Sequence, residues 1–316
     1  MRLLITWKDL NEADLQLIET QTGATMLLGH SKEETLELAS QADVIFGFVS
    51  PEILLAAGRC QWLQTPYAGA ETILGTPWGN PQMIYTNGRG IFGPPIGEHV
   101  VGLILAFNRG LHLARDNQRQ KVWKPRLQNS FRELTGSTVG ILGYGDLGSQ
   151  VAKRLCGFGC NVVGFRQHPQ GDEPYATAVY ALDQFEPFAS QLDYLVCTLP
   201  HTEKTAGFLN QKRMQLLPEH AIIVNVGRGT LIPTDDLILA LQQGWIAGVA
   251  LDVTDPEPLP VESPLWEMDN VIITPHNSGL TPFHKERALE IFLKNWQHFM
   301  KDGTPKINVV NLQLGY

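Results

Sequence analysis

Cysteine is scarce in this chain, basic charge is outweighed, and long apolar runs are missing. The four cysteines in 316 residues are Cys60, Cys156, Cys160 and Cys197. Cys60 and Cys197 adjoin apolar runs, and Cys156 and Cys160 flank Gly157-Phe158-Gly159. None forms a metal-type CxxC pair, so the thiols read as free and buried in a reducing compartment, with no metal site expected. Lys and Arg number 24 against 32 Asp and Glu, giving a net charge of -8 and a pI near 5.6. Phosphate backbones are bound by clustered cations, so a nucleic-acid surface is excluded and any small anion must be held by a local site. No apolar stretch approaches the roughly 18 residues of a membrane span, and Met1-Arg2-Leu3-Leu4-Ile5-Thr6 is too brief for a signal peptide. The expectation is a cytoplasmic protein with neither membrane nor nucleic acid as partner.

What is present is globular composition, 43% hydrophobic and 18% charged, over a length sufficient for two domains. Leu3-Leu4-Ile5-Thr6, Val44-Ile45-Phe46 and Met83-Ile84-Tyr85-Thr86 read as strands, and residues 10–20 as a helix with Leu15 and Ile18 on one face. At Pro94-Pro95 the pattern changes: a mostly apolar helix follows over residues 96–108, and the domain crossover is placed here. Residues 118–133 form a polar surface segment in which Trp123 stands alone. A second alternating unit starts at Thr138. Its strands are Val139-Gly140-Ile141-Leu142, Val162-Val163-Gly164-Phe165, Tyr194-Leu195-Val196-Cys197, Ile222-Ile223-Val224-Asn225, Val249-Ala250-Leu251 and Val271-Ile272-Ile273-Thr274. Near-continuous apolar strands separated by helices imply parallel sheets covered on both faces. A helix over residues 282–300 then crosses back, and the tail from Lys306 rejoins the first domain. The reading is α/β, with two doubly wound parallel-sheet domains: residues 1–95 with 281–316, and residues 96–280.

Gly143-Tyr144-Gly145-Asp146-Leu147-Gly148 reads as a tight turn that follows a strand and opens a helix over residues 147–158, the context that gives a GxGxxG loop meaning. Gly143 permits the turn, Gly145 lets backbone approach a pyrophosphate, and Gly148 lets helix and strand pack closely. The helix start adds unpaired N–H groups and a positive dipole end. NAD sites carry an acid at the end of the next strand, bonding the ribose hydroxyls. Here Arg166 stands there instead. A guanidinium without a carboxylate favours a 2′-phosphate, hence NADP over NAD, unless Arg166 merely stacks on adenine and either cofactor fits. Downstream lie Arg228, Glu257 and His276. A cation to hold an anion and polarise a carbonyl, an imidazole to move a proton, and a carboxylate to keep the imidazole oriented and protonated suit hydride transfer with a small carbonyl acid. By itself Glu257, within Asp255-Pro256-Glu257-Pro258, reads equally well as a solvated loop charge.

Several ordered motifs then carry a resemblance. They are the glycine loop, Leu199-Pro200-His201-Thr202-Glu203-Lys204-Thr205-Ala206-Gly207-Phe208-Leu209-Asn210, Val224-Asn225-Val226-Gly227-Arg228-Gly229-Thr230-Leu231, Ala250-Leu251-Asp252-Val253, Glu257-Pro258-Leu259 and Pro275-His276. Together they resemble the D-isomer-specific 2-hydroxyacid dehydrogenase family, of the hydroxypyruvate/glyoxylate reductase or phosphoglycerate dehydrogenase kind. The resemblance implies a flavodoxin-like substrate domain and a Rossmann-type nucleotide domain with the active site in the cleft between them. It assigns substrate anchoring to Arg228, the carboxylate partner to Glu257 and acid/base work to His276. It implies that backbone at Ala68 and Gly69 binds the substrate carboxylate, that Leu199, Pro200, Thr205, Val226 and Gly227 line the cofactor, and that Asp252 lies near the nicotinamide. It also implies a homodimer through the nucleotide domain, with Trp123 in the interface segment. His201 stays open between the nicotinamide side and a surface loop. Departures from the pattern are Arg166 for Asp, Gly227 where Ala is common, Pro233 for an acid, and Glu71 near a position often held by Asp. The lack of a regulatory C-terminal extension points away from phosphoglycerate dehydrogenase. The expected activity is NAD(P)-linked interconversion of a 2-oxo acid and a D-2-hydroxy acid. The alternative from a different class is a dinucleotide-sensing, non-catalytic protein resembling the C-terminal binding protein corepressors.

Overall fold

In a computed structural model of the chain, residues 1–124 and 131–312 are described, apart from the side chains of Glu71 and Thr72. The chain divides into two units, one of Met1–Ile91 plus the chain from Thr281 on, the other of Phe92–Leu280.

The first unit opens with β1 (Arg2–Ile5), α1 (Glu12–Thr22), β2 (Thr25–Leu28), α2 (Lys32–Gln41), β3 (Val44–Phe46), α3 (Pro51–Ala56), β4 (Trp62–Gln64), α4 (Glu71–Leu74) and β5 (Ile84–Thr86). Helix α1 starts two residues later than its apolar spacing suggests because Asn11 caps it: the Asn11 side chain accepts from Asp14 N–H while Asp14 accepts from Asn11 N–H. The strands are all parallel, in the order β2-β1-β3-β4-β5. That is the flavodoxin-like order.

The second unit begins with α5 (Gly93–Asn108), so Pro94 and Pro95 fall in its first turn. Next come α6 (Leu111–Arg119), β6 (Thr138–Leu142), α7 (Asp146–Cys156), β7 (Asn161–Phe165), β8 (Ala178–Tyr180), α8 (Phe185–Ala189), β9 (Tyr194–Cys197), α9 (Gln211–Met214), β10 (Ile222–Asn225), α10 (Thr234–Gln242), β11 (Gly248–Leu251) and β12 (Val271–Ile273). These strands form a second parallel sheet, β12-β11-β10-β9-β6-β7-β8. The order reverses between β6 and β9, the switch point at whose carboxyl end ligands gather in such sheets.

Period-2 alternation splits each strand between two cores. Tyr194, Val196, Ile222 and Val224 face one apolar layer; Leu195, Cys197, Ile223 and Leu251 face the other. Helix α5 approaches α7 closely because it presents glycines there: a Cβ at Gly97 would stand 2.8 Å from Arg154 Cδ.

The last helix, α11 (His284–Asp302), belongs to the first unit. Phe292 stacks on Phe46 at 4.2 Å. Buried Asn295 donates to Gln64 Oε1 and Ile307 O and accepts from Lys306 and Ile307 N–H, which returns the tail to this unit; residues 313–316 lie outside the described residues.

Two expectations need correction. Cys60 and Cys197 are buried, with burial pushing the Cys60 thiol up to about 12 and that of Cys197 upward too, but Cys156 is exposed and Cys160 half-buried. The helix opened by the glycine loop begins at Asp146, so Leu147 and Gly148 are helical and the turn is confined to Gly143–Gly145.

Candidate active site

Loops at the carboxyl ends of β6, β7, β9, β10, β11 and β12, together with the first turn of α7, carry the candidate site residues of the second unit. Phe165 O accepts from the N–H groups of both Gly143 (2.9 Å) and Tyr144 (3.0 Å), tying the end of β6 to that of β7. Gly143 has φ +108, a conformation natural to glycine. A Cβ at Gly148 would lie 2.7 Å from Gly143 O, so this glycine serves packing. A Cβ at Gly145 would meet nothing within 4 Å, and no side chain caps α7. Open space beside the uncapped first turn of an eleven-residue helix fits a dinucleotide pyrophosphate.

After β9, Thr205 closes its loop: its hydroxyl donates to Pro200 O at 2.6 Å and accepts from Thr202 N–H at 2.8 Å. His201 Nδ1 lies 2.8 Å from Thr230 Oγ1. The loops after β9 and β10 touch at Gly227, where a Cβ would stand 2.7 Å from Leu199 O.

Buried Asn225 shapes the turn that presents Arg228, accepting from Gly227 N–H (3.1 Å) and donating to Arg228 O (3.0 Å). Arg228 Nη1 donates to Gly227 O at 2.9 Å. Gly229 fits against the backbone before Glu257 so closely that a Cβ would fall 2.0 Å from Thr254 O.

His276 Nδ1 is 2.7 Å from Glu257 Oε1, and both side chains are about half exposed. The His276 backbone has φ +51 and its N–H donates to Asp252 O (2.8 Å) and Thr274 O (3.0 Å). Asp252 is buried. Its carboxylate accepts from Thr274 Oγ1 (2.6 Å), Asn277 N–H (3.1 Å) and Ser278 N–H (3.0 Å). Burial alone would raise this carboxyl, but donors from Ser278, Thr274 and Asn277 outweigh it and hold it below the ordinary value. His99, on α5, brings Nε2 to 3.0 Å from Thr274 Oγ1 and 3.6 Å from Asp252 Oδ1. Because the threonine hydroxyl donates to Asp252, it accepts from His99.

Arg166 follows β7 as expected, but an acid does meet it: Glu173 Oε1 lies 3.5 Å from Arg166 Nη1. Ala68 and Gly69 belong to the first unit, where Ala68 O accepts from Asn87 Nδ2 (2.7 Å) and Gly88 N–H donates to Tyr67 O (2.7 Å). Among the described residues, no group of three or more His, Cys, Asp or Glu could hold a metal ion, and no helix is long and apolar enough to cross a membrane.

Residues 101–278 match the model of the D-isomer specific 2-hydroxyacid dehydrogenase NAD binding domain. The chain belongs to that family. A glyoxylate/hydroxypyruvate reductase A from Yersinia enterocolitica is 33% identical over 219 residues, 69% of this chain and 68% of that one. The structure of a D-isomer specific 2-hydroxyacid dehydrogenase family protein from Aeromonas salmonicida matches with TM-score 0.84 and 31% identity, covering 98% of this chain and 99% of that one. A D-isomer specific 2-hydroxyacid dehydrogenase from Xanthobacter autotrophicus, solved with NADPH and MES, matches with TM-score 0.85 and 25% identity over 100% of this chain and 99% of that one. This dehydrogenase is therefore an NAD(P)-dependent enzyme. At Gly227 the contact between the loops after β9 and β10 leaves no room for a methyl group.

Proposed function

We propose that this dehydrogenase reduces a small 2-oxo acid of the glyoxylate or hydroxypyruvate type to a D-2-hydroxy acid, with NADPH preferred over NADH. The observation that carries the reading is the 2.7 Å contact of His276 Nδ1 with Glu257 Oε1. It commits Nδ1 to the carboxylate and turns Nε2 outward as the nitrogen that gives the carbonyl oxygen its proton. Glu257 orients the ring and stabilises the imidazolium that precedes transfer. Arg228 receives the substrate carboxylate and carbonyl oxygen on its planar fork, where negative charge grows during reduction. Leu199, Pro200, Thr205, Val226, Gly227 and Asp252 line the cofactor, and Arg166 receives a 2′-phosphate. Bound NAD(P)H supplies the hydride for the carbonyl carbon.

The test is loss of reduced-cofactor absorbance by purified protein with NADPH and with NADH, against glyoxylate, hydroxypyruvate, pyruvate and phenylpyruvate. Faster oxidation of NADPH with the two smallest polar acids is expected. His276→Ala should lower turnover roughly 100-fold or more, the scale of a lost general acid, while cofactor fluorescence titrations stay unchanged. Cofactor binding without turnover of any of these acids would sink the reading. The same reading makes the enzyme a cytoplasmic homodimer, in keeping with its free cysteines and with a Trp123 side chain that is 94% exposed in one chain. Sedimentation at the 35.1 kDa monomer mass alone would remove the dimer.

A further inference from the structure

The loop after β7 holds a fixed negative charge against Arg166. Arg166 N–H donates to Tyr180 O at 3.0 Å, which sets where the side chain starts, and Nη1 reaches to 3.5 Å from Glu173 Oε1. Glu173 is not a loose surface acid. Its Oε1 accepts from Gln170 N–H (2.6 Å), its Oε2 from Gly171 N–H (2.9 Å), and only 3% of its side chain is exposed. The next residue, Pro174, accepts at its carbonyl oxygen from Tyr144 Oη at 2.5 Å. Tyr144 belongs to the glycine loop, and its ring lies over Gly164, where a Cβ would come within 2.6 Å of it. The segment from Arg166 to Pro174 is thus tied at both ends to the loop that fits the pyrophosphate. Burial would raise the Glu173 carboxyl, yet the two amides and Arg166 keep it below the ordinary value, so it is ionised at neutral pH.

We infer that Glu173 discriminates between cofactors: its anchored carboxylate shares the Arg166 guanidinium and opposes a 2′-phosphate, holding down the preference for NADP over NAD. The inference rests on the reading of Arg166 as the 2′-phosphate ligand. A single contact of 3.5 Å is longer than a strong charge-assisted hydrogen bond and far from a bidentate fork, so Arg166 keeps donors to offer an arriving anion. A phosphate placed on that guanidinium adds one to two negative charges beside a carboxylate that two backbone amides prevent from swinging away. The ribose hydroxyl of NAD adds none. The penalty therefore falls on NADP alone.

The test is calorimetric titration of the intact enzyme with NADPH, NADH, 2′,5′-ADP and 5′-AMP. Glu173→Gln removes the charge and keeps the volume. It should tighten NADPH and 2′,5′-ADP roughly five- to ten-fold, the scale of one partly screened charge pair, and leave NADH and 5′-AMP unchanged. In an Arg166→Gln background the gain should vanish. Glu173→Asp, which withdraws the charge but retains it, should shift NADPH binding the same way by less, and serves if the amide variant fails to fold. Unchanged or weaker NADPH binding in a folded Glu173 variant would overturn the inference. Arg166→Gln with undiminished 2′,5′-ADP binding would instead overturn the reading on which it rests.

Discussion

His276 adopts φ +51, a left-handed conformation that a residue with a Cβ keeps only where its surroundings enforce it. Asp252 does the enforcing: its carbonyl accepts from His276 N–H, while its carboxylate collects Thr274 Oγ1 and the amides of Asn277 and Ser278 on either side of the bend. Asp252→Ala should strand those buried donors and cost about 1–3 kcal/mol of stability, with turnover falling further than the loss of folded protein explains. Steady-state kinetics alongside thermal melts would check this, and a folded variant with full turnover would free the bend from Asp252. The residues in this arrangement were unequally legible in the sequence. His276 and Arg228 announce themselves by following apolar strands, and Glu257 needed the motif around it. His99 gave no signal, because its partner Thr274 is 175 residues away and the contact exists only once α5 lies beside β12. Glu173 was hidden in the same way, since nothing in the sequence brings a loop acid back onto the residue that ends a strand.

At the scale of elements, two glycines at loop ends separate packing from binding. Gly229 meets backbone: a methyl there would stand 2.0 Å from Thr254 O, with no flexible side chain to give way. Gly229→Ala should therefore destabilise the second unit by about 1–3 kcal/mol, as overpacking does, and drive the Arg228 turn from the strand end that leads to Glu257. Gly145 has φ -110, ordinary for any residue, and open space around its Cβ direction. Gly145→Ala should melt like the parent yet bind NADH and NADPH at least several-fold more weakly, on the order of 1 kcal/mol or more where a methyl intrudes on backbone contact with phosphate. Equal affinity in titrations would place the pyrophosphate elsewhere. The strands that matter here were readable because both their faces are buried: β9 and β10 have the very limits their apolar runs suggest. Edge strands β2 and β8 were not, since half-exposed residues dilute the pattern. Strand β4 was obscured by Gln64, buried yet polar, whose amide donates to Thr65 O and Asn87 O.

At the scale of the whole molecule, net charge of -8 says little about where acid will act, because stability depends on pH only through groups whose proton affinity differs between folded and unfolded chains. The informative ones are anchored. Asp43, in the first unit, is partly buried, which would raise it, but it accepts from Arg2 N–H (2.8 Å) and Arg59 Nη2 (2.6 Å) and ends below its ordinary value. Asp252 and Glu173 are lowered in the second unit. For each, the unfolded chain binds the proton more readily than the folded one. Their stabilisation is therefore complete above the unfolded values of 3.8 for the aspartates and 4.5 for the glutamate, and it drains away as pH falls through the lower folded values. Unfolding free energy measured by denaturant titration should hold nearly level at mildly acidic pH and drop steeply below about pH 4. Asp43→Asn and Asp252→Asn should each start lower and fall less steeply over that window, because the group that would have taken up a proton on unfolding is gone. Parallel curves for parent and variants would mean that these carboxylates titrate alike in both states, and that the hydrogen bonds around them do not set the acid limit of the fold.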